Sequence, residues 1–308
     1  MSPARPTSPP GPAPSDRPAP SDLRWLVTGA GGMLGRDLVA LLGRQGAAVT
    51  PLTRSDLDIT DRQAVLRAVR DERPDVVVNC AAWTAVDLAE SREAEAAAVN
   101  GDGAAHVAAG CAEVGARLVQ LSTDYVFDGT ARVPYPETAA PAPATAYGRT
   151  KLAGEQAVTR LLPGRSWILR TAWLYGAHGS SFVATMIGLA ARQPGVTVVD
   201  DQHGQPTSTV TVAELILALV AASAPAGIYH ATCSGQTTWF GLAREIFELL
   251  GADPERVSPI PSTQLTRPAP RPGYSVLAHG AWARAGLPPP EDWRAALHRD
   301  FPAFAPAR

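Results

Sequence analysis

A glycine-rich turn between an apolar strand and an amphipathic helix is the feature that most restricts how this chain can fold. Residues 24–28 form a short apolar run, and Gly29, Gly32 and Gly35 follow it directly, leading into leucines at helical spacing from Leu34 to Leu42. Glycine lets the backbone approach a pyrophosphate, whose charge the free amides of the helix N-terminus bind. Because the Gly-x-x-Gly-x-x-Gly motif lies between a first strand and a helix, it predicts a dinucleotide site.

Alternating strand and helix signals continue along the chain. A long helix is predicted over 93–114, where alanine is abundant. Strands are predicted over 24–28, 47–53, 75–80, 117–121 and 166–171. This alternation favours an α/β fold with a Rossmann-type doubly wound parallel sheet. Ligands of such sheets bind at the carboxyl ends of the strands.

The 308 residues are predicted to form a tail and two domains. Residues 1–22, rich in Pro, Ala and Ser and without a signal-peptide pattern, are expected to be disordered; a flexible tether and an over-early start codon are the alternatives. The dinucleotide-binding domain is predicted over 23–172, with a returning segment at 208–233. A smaller, discontinuous C-terminal substrate domain is predicted over 173–207 and 234–308.

Composition excludes several classes of function. A net charge of -2 gives no basic footprint, so nucleic acid is not expected as a partner. No apolar run approaches the roughly 20 residues that cross a bilayer, so no membrane segment is expected. Cys80, Cys111 and Cys233 are too few and too far apart for a disulfide framework or a zinc site. We therefore expect no metal and a reducing, cytoplasmic location.

The second predicted strand bears on the choice of cofactor. It ends at Arg54, where an NAD-preferring site usually has an acid that binds the ribose hydroxyl. An arginine suits a 2′-phosphate instead, which favours NADPH, with NADH and a merely solvated arginine as alternatives. Asp58 and Ile59 follow where an adenine ring could be held, although capping of the next helix by the acids of this segment is an equal use for them.

A tyrosine and a lysine predict proton-transfer chemistry. Tyr147 and Lys151 are four residues apart on a predicted helix, so their Cβ atoms lie within about 5–6 Å. A nearby ammonium lowers the pKa of a phenol from its usual value of about 10. Such a tyrosine can exchange a proton with a carbonyl or an alcohol. Thr123, at the end of the fourth strand, is expected at the same site, whereas a surface Tyr-Lys pair is the alternative.

Three longer motifs accompany these residues. They are Leu-Ser-Thr-Asp-Tyr-Val-Phe-Asp-Gly at 121–129, Ala-Ala-Trp-Thr-Ala-Val-Asp at 81–87 and Ile-Leu-Arg-Thr-Ala-Trp-Leu-Tyr-Gly at 168–176. Asp-Gln-His-Gly-Gln-Pro-Thr at 201–207 and Gly-Ile-Tyr-His at 227–230 add two more. From about residue 24 to the C-terminus, the chain resembles the dTDP-4-dehydrorhamnose reductase family of the extended short-chain dehydrogenase/reductase superfamily.

The resemblance implies an NAD(P)H-dependent oxidoreductase that reduces the 4-keto group of a dTDP-4-keto-6-deoxy-L-hexose. It implies that Thr123 bonds the keto oxygen, Tyr147 donates the proton, and Lys151 holds the nicotinamide ribose and lowers the pKa of the tyrosine. With the residues above, the expected cofactor site contains Gly29, Gly32, Met33, Leu34, Gly35, Arg54, Asp58, Ile59, Ala81, Ala82, Trp83, Asn100, Tyr147 and Lys151. The expected substrate site contains Val86, Thr123, Asp124, Tyr125, Trp173 and Arg267.

The resemblance leaves alternatives open. The product could be dTDP-L-rhamnose or a related deoxysugar such as dTDP-dihydrostreptose, and a homodimer is left open. A sugar nucleotide dehydratase or epimerase shares the fold, but dehydration commonly uses an Asp-Glu pair after the threonine, and Tyr125 stands at the glutamate position. A non-catalytic nucleotide-binding subunit is the other alternative. Met33 and Trp83 depart from the family, which often has glutamine and tyrosine or histidine there.

Overall fold

The fold begins earlier in the chain than the sequence predicts. The computed structural model describes residues 19–304, so residues 1–18 of the predicted tail lie outside the described residues. Pro20–Asp22 form a 3₁₀ turn, and the indole Nε1 of Trp25 donates a hydrogen bond to the carbonyl of Pro20 at 2.9 Å. The last three residues of the predicted tail, 20–22, are therefore held against the first strand.

Twelve strands and eleven α-helices make up the described part of the chain. The strands are β1 (Arg24–Thr28), β2 (Ala48–Leu52), β3 (Val76–Asn79), β4 (Arg117–Thr123), β5 (Ser166–Thr171), β6 (Leu174–Tyr175), β7 (Val196–Val199), β8 (His203–Gly204), β9 (Thr207–Ser208), β10 (Gly227–His230), β11 (Thr237–Thr238) and β12 (Val257–Ile260). The helices are α1 (Met33–Arg44), α2 (Arg62–Glu72), α3 (Val86–Ala89), α4 (Glu93–Ala97), α5 (Ala104–Val114), α6 (Ala146–Leu161), α7 (Phe182–Arg192), α8 (Thr209–Ala221), α9 (Trp239–Leu249), α10 (Gly280–Arg284) and α11 (Trp293–Asp300). None of these helices has the length and apolar character that crossing a bilayer requires.

Six parallel strands form the central sheet, in the order β10-β5-β4-β3-β1-β2. The predicted α/β class and doubly wound parallel sheet are thus confirmed. β10 returns to the sheet edge beside β5 after a long excursion through the smaller lobe. The register pairs Thr123 at the end of β4 with Thr171 at the end of β5. These strand ends therefore deliver their side chains to one edge of the sheet.

Alternating strand residues fill two apolar layers, one on each face of the sheet. Val76 and Val78 pack with α1 and α8, whereas Val77 between them packs with α2, α5 and α6. A strand buried on both faces reads as a continuous apolar run, as β3 does. Buried hydrogen bonds also cross the sheet, because Thr28 donates to Asn79 at 2.6 Å and Asn79 to Gln120 at 2.8 Å. These bonds satisfy polar groups close to the ligand-binding edge.

The long helix predicted over 93–114 is not uniform. α4 and α5 are joined by a π-helical segment, Ala98–Gly103, instead of a regular α-helix. Gly103 lies against Ile59, since a Cβ atom at this glycine would come within 2.7 Å of the Ile59 side chain. Alanine and glycine content predicts a helix but does not reveal this tertiary contact. The wider turn puts Asn100 in contact with both Trp83 and α6.

The smaller lobe has its own apolar core. Tyr175, Met186, Phe247 and Trp293 are buried together there. Two short helices near the C-terminus, α10 and α11, contain Trp282 and Trp293. Trp282 packs in the core of the larger domain and donates its Nε1 hydrogen to the carbonyl of His230 at 2.8 Å. The segment that contains α10 therefore packs with the larger domain, contrary to the predicted range 234–308.

Candidate active site

A cleft of about 890 Å³ opens at the carboxyl ends of β1, β2 and β3. It is lined by Gly29, Gly31, Gly32, Thr53, Arg54, Ser55, Leu57, Asp58, Ile59, Thr60, Cys80, Ala81, Ala82, Trp83, Glu95, Ala98 and Val99. Its volume suits a cofactor-sized ligand, because such sites range over about 300–1,000 Å³. The structure brings together here eight residues of the cofactor site expected from the sequence. They are Gly29, Gly32, Arg54, Asp58, Ile59, Ala81, Ala82 and Trp83.

The glycine turn leaves no room for side chains. Gly29 has φ +64°, and a Cβ atom there would lie 2.6 Å from the amide nitrogen of Ala81. A Cβ atom at Gly35 would collide with the carbonyl of Gly29. Gly32 precedes α1 and has no side chain to cap it, so the first amides of the helix are free to bind an anion. The residues present therefore fit the pyrophosphate of a dinucleotide.

Five side chains of the expected cofactor site do not line this cleft, namely those of Met33, Leu34, Asn100, Tyr147 and Lys151. Leu34 is 6% exposed and belongs to the core, and the Met33 side chain faces Gly176 and Gly179 instead. Asn100 lies one layer behind the cleft, where it accepts a hydrogen bond from the amide of Trp83 at 2.9 Å. Its amide group also donates to the Trp83 carbonyl at 3.1 Å. Asn100 is thus placed to fix the backbone at Trp83, and its contact with the cofactor stays a prediction.

Asp58 lines the cleft with one carboxylate oxygen already engaged. Oδ1 accepts hydrogen bonds from the amide and the hydroxyl of Thr60, at 2.9 and 2.8 Å. Chiefly through these bonds, the pKa of Asp58 lies below its usual value. The acid that caps the next helix, α2, is Asp61, whose side chain accepts a hydrogen bond from the amide of Ala64 at 3.0 Å. Arg54, on the same wall, is exposed.

The three predicted catalytic residues lie at the next strand end. Thr123 ends β4 and is 4% exposed, and its hydroxyl donates to Asp124 at 3.0 Å while accepting from the amide of Tyr125 at 3.2 Å. Tyr147 lies in the first turn of α6, which Thr145 caps by accepting from the amide of Gly148. Its phenol interacts with the Thr123 hydroxyl. The structure therefore brings the strand-end hydroxyl and the phenol together.

Lys151 is buried one helical turn further along α6. Its Nζ donates a hydrogen bond to the carbonyl of Leu121 at 2.6 Å. Burial lowers the pKa of Lys151 to about 8, while the nearby Glu155 carboxylate opposes the shift. Cys80, at the cofactor cleft, also lies close enough to act electrostatically on this ammonium. The Lys151 side chain thus lies between the backbone of α6 and the cleft.

The predicted effect of the lysine on the tyrosine is not observed. Burial raises the pKa of Tyr147 to about 12, and the Asp124 carboxylate raises it further, whereas the Thr123 hydroxyl opposes the shift. Desolvation disfavours the phenolate here, and it outweighs any stabilising charge. Tyr147 is therefore protonated at neutral pH. That state suits a proton donor and corrects the expectation of a lowered pKa.

The expected substrate residues differ in accessibility. Val86 and Tyr125 are half-buried, and the Tyr125 ring meets the Tyr147 ring edge to face at 5.5 Å. Asp124 is 4% exposed, so it supports Thr123 from behind, and burial raises its pKa to about 6. Trp173 has a left-handed backbone with φ 47° and stacks on Trp239 at a centroid distance of 3.5 Å. Such a backbone conformation is uncommon for a bulky residue and is typical of functional sites.

The basic loop after β12 contributes an arginine that the sequence analysis missed. Arg267 is exposed, within electrostatic range of Asp87 and Tyr125. Arg271 instead forms two hydrogen bonds with Asp87, at 2.8 and 2.7 Å, across 184 residues of sequence. This pair connects α3 of the larger domain to the loop of the smaller lobe. The acid within the Ala-Ala-Trp-Thr-Ala-Val-Asp motif was the signal that could have indicated it.

Comparisons with known proteins agree with this architecture. Residues 23–304 match the family model described as the RmlD substrate binding domain. A dTDP-4-dehydrorhamnose reductase of Streptomyces griseus is 60% identical over 285 residues, covering 91% of this chain and 94% of that protein. A dTDP-4-keto-6-deoxy-D-glucose reductase of Streptomyces niveus is 55% identical over 279 residues, covering 91% of this chain and 96% of that protein.

A solved structure is similar as well. The dTDP-4-dehydrorhamnose reductase of Bacillus anthracis, in complex with NADP, is 37% identical, with a TM-score of 0.87 over 91% of this chain and 98% of that one. The family model and these similarities cover nearly the whole described chain, including the glycine turn, Thr123 and Tyr147. The chain belongs to the dTDP-4-dehydrorhamnose reductase family.

Proposed function

We propose that this protein is an NADPH-dependent oxidoreductase that reduces the 4-keto group of a dTDP-linked 4-keto-6-deoxy-L-hexose. The observation that carries the proposal is the contact between the Thr123 hydroxyl and the protonated Tyr147 phenol, beside a cleft that fits a dinucleotide. By name, the relatives reported above reduce dTDP-4-dehydrorhamnose and dTDP-4-keto-6-deoxy-D-glucose, both of which are dTDP-linked ketosugars. The product is dTDP-L-rhamnose or a closely related sugar such as dTDP-dihydrostreptose.

Each catalytic residue has a distinct task in this reaction. Bound NADPH supplies the hydride. Tyr147 donates its proton to the substrate's keto oxygen, and the Thr123 hydroxyl holds that oxygen in line for the transfer. Lys151, held by its bond to the Leu121 carbonyl, would hold the ribose of the nicotinamide. Asp124, buried behind Thr123, accepts a hydrogen bond from the threonine hydroxyl at 3.0 Å.

Substitution of the tyrosine tests the proposal. Tyr147→Phe removes the proton donor and keeps the ring, so turnover should fall by about 10²–10⁴-fold while NADPH still binds. Oxidation of NADPH in the presence of the dTDP-ketosugar measures turnover, and nucleotide titration measures binding. NMR analysis of the product fixes both the reaction and its stereochemistry. Full activity of the Phe variant would exclude Tyr147 as the donor.

Two other functions remain as outcomes of the same experiment. A dehydratase would need an acid after Asp124, where this chain has Tyr125, whose pKa is raised by burial. A non-catalytic nucleotide-binding subunit would bind NADPH tightly and reduce no ketosugar. The contact of Tyr147 with Thr123 favours the reductase over a non-catalytic subunit, which needs no proton donor, and Tyr125 in place of the acid disfavours dehydration.

Cofactor choice and the remaining site residues belong to the same proposal. Arg54 and Ser55 line the cleft just after β2, and an arginine at this point suits a 2′-phosphate, which favours NADPH over NADH. Val86, Tyr125, Trp173 and Arg267 are proposed to contact the sugar nucleotide. We keep a division into a cofactor domain and a substrate lobe, with α10 assigned to the cofactor domain. A homodimer and a cytoplasmic location are further parts of the proposal.

A further inference from the structure

A buried ion pair lies directly behind the proposed catalytic residues. Glu155 on α6 and Arg170 on β5 are 4% and 1% exposed. The Glu155 carboxylate accepts hydrogen bonds from Arg170 Nε at 2.9 Å and from Arg170 Nη2 at 2.7 Å. The hydroxyl of Ser122, which is also buried, donates to the same carboxylate at 2.5 Å. Three elements, α6, β4 and β5, therefore meet at one carboxylate.

Each member of this network adjoins a catalytic residue. Ser122 directly precedes Thr123 on β4. Glu155 lies four residues after Lys151, so the two side chains occupy one face of α6. Lys151 in turn binds the carbonyl of Leu121, the residue before Ser122. The carboxylate thus connects the lysine helix to the strand that carries the threonine.

Stability alone is a weak reason for such a pair. Replacing a buried ion pair with apolar residues of similar volume is often neutral or stabilising, because burial strips both charges of water. Arg170 Nη1 has no hydrogen-bond partner among the described residues, so the pair is not even fully satisfied. Breaking it from one side leaves an uncompensated buried charge, which is strongly destabilising. A function other than stability is therefore indicated.

We propose that the Glu155–Arg170 pair positions Lys151 and Thr123 for the reduction and that its carboxylate keeps Lys151 protonated. Both are positioning residues, since neither touches the reacting atoms. The inference rests on the proposed reductase function. The titratable and charged groups that face Lys151 are Tyr147 and Glu155 on its own helix, Cys80 after β3, and Arg170 on β5 behind the glutamate. Glu155 is the carboxylate of this set, and it opposes the effect of burial on the lysine.

A paired substitution tests the inference without leaving a single buried charge. In Glu155→Gln/Arg170→Met both charges are removed and the volume is nearly kept. In a plot of log kcat against pH, the alkaline limb of this variant should lie about one pH unit below that of the wild type. At a given pH on that limb, kcat should therefore be about tenfold lower. NADPH affinity and the melting temperature report whether the fold is kept. Glu155→Asp, which retains the charge on a shorter chain, should return the limb toward the wild-type position.

An exposed ion pair on the same helix provides the matched control. Arg149 on α6 makes two hydrogen bonds to Glu93 on α4, both at 2.8 Å, and the two side chains are nearly half exposed. Glu93→Gln/Arg149→Met removes this pair with the same chemical changes. Its alkaline limb should coincide with that of the wild type, because solvent screens exposed charges.

The outcomes separate this inference from the function on which it rests. A displaced limb in the buried-pair variant, with an unmoved limb in the control, supports the positioning role. If the wild type is active and the folded buried-pair variant has the same alkaline limb, the positioning role is overturned but the reductase function is not. An equal displacement of the limb in the control variant also overturns the positioning role. A wild type that binds NADPH but reduces no ketosugar at any pH overturns the proposed function instead.

Discussion

At the scale of single residues, burial controls protonation throughout the site. Tyr147, Lys151 and Asp124 are neighbours, yet each is shifted toward its neutral form, with pKa values of about 12, about 8 and about 6. Desolvation is the largest cause in every case. The sequence predicts these residue types and their spacing. It could not predict the shifts, because desolvation depends on which side chains the fold packs around each group.

Lys151 sets the first prediction, an alkaline limit to activity. Its pKa is lowered from 10.5 to about 8, so the lysine loses its proton as the pH rises through that value. Turnover should therefore fall between about pH 7 and 9, whereas a lysine with an ordinary pKa of about 10.4 would keep its charge there. A profile of kcat against pH at saturating NADPH measures this. A flat profile up to pH 10 would contradict the burial argument.

Because Asp124 is buried, we expect its replacement by asparagine to stabilise the protein in a pH-dependent way. Its folded pKa is raised to about 6 from 3.8, so the unfolded chain releases its proton first, and stability falls as the pH rises from about 4 to 6. Asp124→Asn removes this penalty and should raise the free energy of unfolding at pH 7 by about 1–3 kcal/mol. Urea unfolding at pH 7 and at pH 4 checks this, because the gain should vanish at pH 4.

An exposed acid on the following turn is the control for that experiment. The pKa of Asp128 is lowered, chiefly by the hydrogen bond from the Tyr135 hydroxyl, at 2.6 Å. A carboxyl with a lowered folded pKa stabilises the fold above its unfolded pKa. Asp128→Asn should therefore lose stability at pH 7, the opposite sign. A gain in both variants would show that charge removal in general stabilises the fold, independent of burial.

At the scale of elements, α6 packs closely against the backbone of two neighbouring segments. Cβ atoms at Gly148 and Gly154 would collide with the carbonyls of Tyr125 and Asn100. The helix that carries Tyr147 and Lys151 therefore approaches the turn after β4 and the π-helical segment more closely than side chains would permit. Spacing correctly predicted the helix that carries Tyr147 and Lys151, whose catalytic role stays a prediction. The two contacts could not be predicted, since they involve residues distant in sequence.

A pair of alanine substitutions tests this close packing. Gly154→Ala should destabilise the protein by about 1–3 kcal/mol, because the added methyl group forces α6 away from Asn100. Gly43→Ala in α1 has no heavy atom within 4 Å of the added carbon, and it should stabilise by about 0.5–1 kcal/mol through helix propensity. Denaturant unfolding measures both changes. Equal changes at the two positions would mean that α6 tolerates displacement.

At the scale of the whole molecule, the fold class and the strands around the cleft were accessible from sequence, whereas the connections between the two lobes were not. Alternating strands and helices define a doubly wound sheet by simple rules. The Asp87–Arg271 pair joins positions 184 residues apart, and the packing of Trp282 into the larger core depends on the complete fold. Local patterns contain no information on such pairings.

The Asp87–Arg271 pair gives a prediction at this scale. Arg271→Met should release the loop of the smaller lobe from α3 and raise the KM for the sugar nucleotide by about three- to tenfold, while NADPH affinity is unchanged. Arg70→Met, which breaks an exposed pair with Glu113 inside the larger domain, serves as the control. Steady-state kinetics with each substrate varied in turn measures the effect. An equal loss of NADPH affinity in Arg271→Met would contradict this prediction, because it would show that the arginine also affects the cofactor cleft.

The late return of β10 to the sheet edge has a consequence for synthesis on the ribosome. β5 can find its outer neighbour only after residue 230 has left the exit tunnel, some 60 residues later. Until then the nascent sheet presents an open parallel edge, a surface prone to wrong pairing between chains. Slow, non-local closure of this kind makes the growing polypeptide a natural client for chaperones that shield exposed strands.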